Sequence, residues 1–191
     1  MRSASPHVTR QMRCMSTRLI FVLLMGIADP TGAVDESPAS VSACFTPGMD
    51  CQGLIKTQID QTRPGHHIYV QAYSFTSSPL AQALLHAHQR GVQIRILLDR
   101  SQVTEQYSSA TFFARAKIPL AIDAQEAIAH NKVMIFPERT LLLTGSYNFT
   151  RAAQDRNAEN LLLVSGSVPL IQDYLENFTT HWRHSQPYHG H

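Results

Sequence analysis

The chain has 191 residues, 43% of them hydrophobic and 16% charged, which fits one globular domain behind a short leader. Its 16 basic and 14 acidic residues include four arginines (Arg2, Arg10, Arg13, Arg18) and one acid (Asp29) within residues 1–33, so 12 basic residues face 13 acidic ones in the remainder. That near-neutral body excludes nucleic-acid binding through bulk positive charge; any such contact has to come from local patches.

Leu19 to Ala28 is an apolar run preceded by arginines and followed by Pro30-Thr31-Gly32-Ala33. It reads as the core of a signal peptide covering residues 1–33, and it is too short to span a bilayer comfortably. Met15 is an alternative true start, because Met15-Ser16-Thr17-Arg18 forms a compact positive segment. An uncleaved anchor or a buried strand is the competing reading. The expectation is an exported protein, periplasmic or secreted, with a linker at 34–40, a catalytic domain at 41–185 and a tail at 186–191. Beyond the leader two cysteines remain, Cys44 and Cys51, which in an exported chain are expected to form a disulfide closing a short turn. A metal site there would need more ligands nearby.

Val41 to Phe45 begins the first strand, and Thr46-Pro47-Gly48 turns into a helix from about Met49 to Gln61, with Leu54, Ile55, Gln58 and Ile59 at helical spacing. Pro64-Gly65 breaks it. His67 to Phe75 reads as a strand, and His66-His67 as its wet beginning without chemistry. Ser78-Pro79 opens a helix with an N-cap serine and an N1 proline, ending at Gly91. Val92 to Asp99 has the pattern of a strand inside a covered sheet. Thr104 to Lys117 predicts loop then helix, with Phe112 and Phe113 in the core, and Leu120 to Ile122 a short strand. Val133 to Phe136 and Leu141 to Thr144 predict two strands joined by Pro137-Glu138-Arg139-Thr140, with His130 and Lys132 alternating onto one face of the first. Thr150 to Gln154 reads as a helical turn, Leu161 to Val164 as a strand, and Val168 to Trp182 as an amphipathic closing helix. His181, His184, His189 and His191 read as a frayed terminus rather than a metal site. The sum is an α/β sandwich: one domain with a mixed β-sheet flanked by helices.

The chemistry gathers between His130 and Asn160. An imidazole (His130), an ammonium (Lys132), a hydroxyl (Ser146, after the small Gly145) and a carboxamide (Asn148) converge at one end of a sheet. That set suits a phosphate: a nucleophile or proton carrier, a positive charge, and neutral donors for non-bridging oxygens. Together with Glu159, these residues resemble position by position the signature of the phospholipase D superfamily, and more narrowly its single-motif bacterial endonuclease branch. The resemblance runs from about Val41 to Trp182 and includes Ala72-Tyr73-Ser74-Phe75-Thr76-Ser77 and Arg90-Gly91-Val92.

One departure stands inside it. Where the family carries an Asp, this chain has Pro137; Glu138 next door is out of phase and expected on the other strand face. The resemblance implies a metal-independent phosphodiesterase without cofactor that works through a phosphohistidine. One His-x-Lys per chain then implies a homodimer, with two copies of His130 facing each other across the axis. Lys132, Asn148 and Ser146 hold the phosphate, and Glu159 orients the imidazole. The leading substrate is the DNA or RNA backbone. The alternatives are a phospholipid headgroup, released by phospholipase D action on phosphatidylcholine-type lipids, and a catalytically weakened binding protein in which Pro137 marks decay.

Overall fold

The computed structural model describes residues 39–190, so the predicted signal peptide and most of the linker lie outside the described residues. Eight strands form one mixed sheet: β1 (Ser40–Thr46), β2 (His67–Ala72), β3 (Gln93–Asp99), β4 (Leu120–Asp123), β5 (Lys132–Phe136), β6 (Leu141–Gly145), β7 (Glu159–Ser165) and β8 (Gln186–Pro187). Their order across the sheet is β1-β7-β6-β5-β2-β3-β4-β8. The pairs β2/β3 and β3/β4 are parallel and the rest antiparallel. Five helices surround the sheet: α1 (Cys51–Asp60), α2 (Ser78–Gln89), α3 (Ala110–Arg115), α4 (Arg151–Asp155) and α5 (Val168–His184). No helix among the described residues is long and apolar enough to cross a membrane.

Strand alternation splits the core into two layers. Ile96 and Leu98 of β3, Met134 and Phe136 of β5, and Leu141 and Leu143 of β6 pack on one face with the apolar sides of α1, α2 and α3. Leu97, Val133, Ile135 and Leu142 project to the other face, where Ile171 and Phe178 of α5 cover them. This explains why β3 and β5 read as nearly continuous apolar runs: both faces are covered. Phe113 is fully buried, as expected, and Phe112 packs at the edge of the same core.

Local chemistry sets the element ends. The Asp50 carboxylate caps α1 by accepting from Gly53 N at 2.7 Å. At its other end, the Arg90 guanidinium donates to the carbonyls of Ile59, Asp60 and Thr62. The N-cap of α2 is Ser77, one residue earlier than the sequence suggested, because tertiary contacts fix it: its N–H donates to Phe149 O and its hydroxyl to Gln52 Oε1. The expected disulfide is present between Cys44 and Cys51, joining β1 to the start of α1.

Two expectations at the chain's edges are corrected. Glu138 is not on a strand at all. It lies in a 3-10 turn over Pro137–Arg139 and accepts from the His67 ring at 2.6 Å and from His67 N at 3.0 Å, giving that histidine a partner. The terminus is not frayed either. Helix α5 continues to His184, and Gln186–Pro187 adds β8 beside β4, because His181 and His184 both bond the Asp123 carboxylate at the end of β4.

Candidate active site

The site lies where β2, β5, β6 and β7 end side by side. Tyr73 N donates to Asn131 O at 2.8 Å, which carries the β2/β5 pairing one residue past Ala72↔Lys132. His130 therefore comes to rest against Tyr73, with ring centroids 4.6 Å apart, and its imidazole is exposed. His130 itself precedes β5 rather than lying in it. Among the described residues of this chain, the ring nitrogens of His130 have no hydrogen-bond partner, whereas its carbonyl accepts from Lys132 Nζ at 2.7 Å.

Lys132 opens β5 and is only 6% exposed. Its ammonium sits 5.0 Å from the centre of the Tyr73 ring. Burial pushes its pKa below the ordinary lysine range, and the negative charge of Glu159 partly opposes that shift.

Strand β6 delivers the hydroxyl. The register Val133↔Thr144, continued by one residue, sets Gly145 beside Lys132. Gly145 has φ +151°, and a Cβ there would lie 2.4 Å from Asn160 O. The absence of a side chain lets β7 close on this turn, where Ser146 N and Tyr147 N both donate to that same carbonyl at 3.1 Å. Ser146 Oγ then donates to Glu159 Oε2 at 2.7 Å and accepts from Asn160 N at 3.0 Å. Asn157 Nδ2 donates to the other carboxylate oxygen of Glu159 at 2.9 Å.

Glu159 is thus engaged by Ser146 and Asn157, and the expected bond to the His130 imidazole is absent within the chain. The sheet order gives the reason: β6 lies between β5 and β7, so its end reaches the carboxylate first. Asn157 and Asn160 were not given roles by the sequence, although both sit in the polar stretch around Glu159. Asn148 follows the fully buried Tyr147, whose phenol is pushed far above its ordinary range by burial and by Asp50, Asp155 and Glu159. The Asn148 Oδ1 position is buried without a partner.

A groove of about 720 Å³, none of whose walls is a residue of this cluster, is lined by Thr76, Gln82, Glu105, Tyr107 and Arg151 among others. Two bonds tie it to the site: Thr76 N donates to Phe149 O, next to Asn148, and Ser74 Oγ donates to Glu105 at 3.2 Å, next to Tyr73. Tyr107 is 80% exposed and has φ +69°, an unusual conformation for a non-glycine residue.

An imidazole, a buried ammonium, a hydroxyl and a carboxamide on adjacent strand ends define a site for phosphodiester chemistry. The chain belongs to the phospholipase D superfamily and is a phosphodiesterase of that superfamily. Residues 55–182 match the family described as "Cardiolipin synthase, PLD-like domain". A protein named phospholipase D from Rickettsia felis is 44% identical over 140 residues, spanning 73% of this chain and 68% of that protein. A mitochondrial cardiolipin hydrolase from Xenopus laevis is 30% identical over 151 residues, spanning 79% and 70% respectively. The crystal structure of Nuc, a phospholipase D family member from Salmonella typhimurium, superposes with a TM-score of 0.74 at 31% identity, covering 79% of this chain and 99% of that one.

Proposed function

We propose that the chain is a metal-independent endonuclease of low sequence specificity that acts through a phosphohistidine in a homodimeric site. The observation that carries this reading is the exposed His130, unpartnered at both ring nitrogens within its own chain, on a surface whose neighbouring groove mixes apolar wall with Thr76, Gln82, Tyr107 and Arg151. Such a groove suits a backbone phosphate with neighbouring nucleotides, and the exposed Tyr107 ring offers a face for stacking a base.

In the first step the imidazole nitrogen of one His130 attacks phosphorus, forming an N–P bond. The P–O bond to the leaving group breaks, and the departing oxygen takes a proton from the partner's His130. In the second step that same imidazole removes a proton from water, the hydroxide attacks phosphorus, and the N–P bond breaks. Lys132 and Asn148 hold the non-bridging oxygens in both steps. Glu159 acts on Lys132 and Ser146: its charge favours the protonated ammonium and its oxygen fixes the serine hydroxyl. A chain exported to the periplasm or beyond, cleaved near Ala33, fits the disulfide.

The second reading is hydrolysis of a phospholipid headgroup, favoured by the 44% identity to the Rickettsia felis protein named phospholipase D. The deciding experiment sets purified protein on plasmid DNA and on phosphatidylcholine vesicles side by side in chelator, with His130→Ala as control. DNA cleavage that disappears in the variant supports the nuclease, and headgroup release alone supports the lipase. Activity retained by His130→Ala overturns the nucleophile. Silence on both substrates from a folded dimer supports the third reading, a binding protein.

A further inference from the structure

We propose that Asp123, His181 and His184 form a binding site for one divalent transition-metal ion of the zinc class, separate from the phosphodiester site, that pins the end of α5 to the end of β4. The three residues offer one carboxylate oxygen and two imidazole nitrogens within 4.8 Å of one another. His181 Nδ1 lies 2.6 Å from Asp123 Oδ2, and His184 Nε2 lies 3.2 Å from Asp123 Oδ1. Ligand atoms around tetrahedral zinc stand about 3.3 Å apart, so small side-chain rotations convert this triangle into a coordination shell.

Three further features point to a cation. Asp123 is 3% exposed, and among the described residues its ion-pair partners are the two histidines, with no lysine or arginine. Its other contact is the backbone N–H of Gln125 at 3.3 Å, so the buried carboxylate has no lysine or arginine beside it, and a bound dication would supply the opposite charge. Second, His181 and His184 are three residues apart on α5, the spacing that puts two side chains on one helix face. Third, their side chains are 17% and 21% exposed, so the ion has a route in and a fourth position for water. The ligand set of two imidazoles and one carboxylate selects a borderline metal over calcium or magnesium, which favour oxygen donors.

The place in the fold gives the site a structural task. Asp123 is the last residue of β4, and the loop after it, residues 124–129, leads directly to His130. The ion would tie the base of that loop to α5, whose apolar face already covers the sheet through Ile171 and Phe178.

The test is zinc titration of the full chain by calorimetry, with metal content after desalting, for the parent, His184→Gln and Asp123→Asn. All three carry His189→Ala and His191→Ala to remove tail histidines. The expected result is one zinc per chain in the parent, affinity reduced at least tenfold in both variants, and a parent melting temperature raised on the order of 5–10 °C at a hundredfold excess over Kd. Magnesium should give no shift. Equal zinc binding by parent and variants overturns the site, and so does a parent that binds no zinc. Circular dichroism on each variant separates loss of binding from loss of fold.

Discussion

Replacing Gly145 by alanine tests whether the closeness of β6 and β7 builds the site. The new Cβ would lie 2.4 Å from Asn160 O, roughly 1 Å inside ordinary contact. That carbonyl accepts from both Ser146 N and Tyr147 N, so its retreat breaks at least one bond worth about 1 kcal/mol. The φ of +151° adds about 1–3 kcal/mol of backbone strain for an L side chain. A stiffer unfolded chain returns about 0.4–1 kcal/mol. The net expectation is a loss of about 1–3.5 kcal/mol, read as a fall in melting temperature of roughly 2–14 °C for a domain of this size. Gly65 provides the control: its φ is +82° but nothing lies within 4 Å of a Cβ there, so Gly65→Ala should cost only about 1 kcal/mol. Urea denaturation of both variants gives the comparison, and hydrolysis of a chromogenic phosphodiester gives activity. Where Gly145→Ala is still folded, kcat should fall about a hundredfold, because Ser146 and Glu159 move with the turn. Equal midpoints for the two variants, or full activity in Gly145→Ala, would refute the close-approach argument.

Three other expectations rest on separate features. Opening the Cys44–Cys51 bridge with Cys44→Ser and Cys51→Ser together should cost about 2.5 kcal/mol from the eight-residue loop it closes, and dithiothreitol should lower the parent's denaturation midpoint but not the variant's. Because burial lowers the Lys132 pKa, the alkaline limb of activity should fall at a pH below that of an ordinary lysine; Lys132→Arg should move it upward while reducing kcat. The same shift makes stability rise with pH between the lowered pKa and the ordinary one, since the unfolded chain binds more protons there. Burial would raise the Glu138 carboxyl, but the hydrogen bonds from the His67 ring and backbone hold it lower. Its contribution is present above the unfolded carboxylate pKa and lost as pH falls through the lowered one. Glu138→Gln should flatten that acid limb and cost on the order of 0.5 kcal/mol, because the pair is a third or more exposed. An unchanged acid limb in chemical denaturation would contradict this.

What could be read from the sequence was whatever depends on local period and short spacing. The alternation in β3, β5 and β6, the break at Pro64-Gly65, and the glycine before Ser146 each carry their meaning within a few residues. The four side chains proposed to meet phosphate were legible for the same reason, since they sit at or just beyond the ends of two adjacent strands. Distant pairing was not legible. Glu138 meets His67 across 71 positions, and Asp123 meets His181 and His184 across 58 and 61. No local pattern announces either, and both histidine pairs read as solvent-facing. Strand β7 begins at the polar Glu159 rather than at Leu161 because Glu159 and Asn160 pair with Thr46 and Phe45. The contacts Glu159 makes within its own chain were hidden on the same ground: which hydroxyl it meets is decided by strand order, not by spacing along the chain.

The edge position of β1 has a consequence for biosynthesis. Ser40 pairs with Ser165, 125 residues later, so the first strand is made well before the strand it joins. At ordinary synthesis rates of about 5–20 residues per second, β1 waits roughly 6–25 s for β7. The Cys44–Cys51 bridge spans only seven positions and needs nothing that comes later in the chain. It can lock β1 to α1 before the later strands are in place, so the last long-range closure docks a preassembled unit rather than a loose strand.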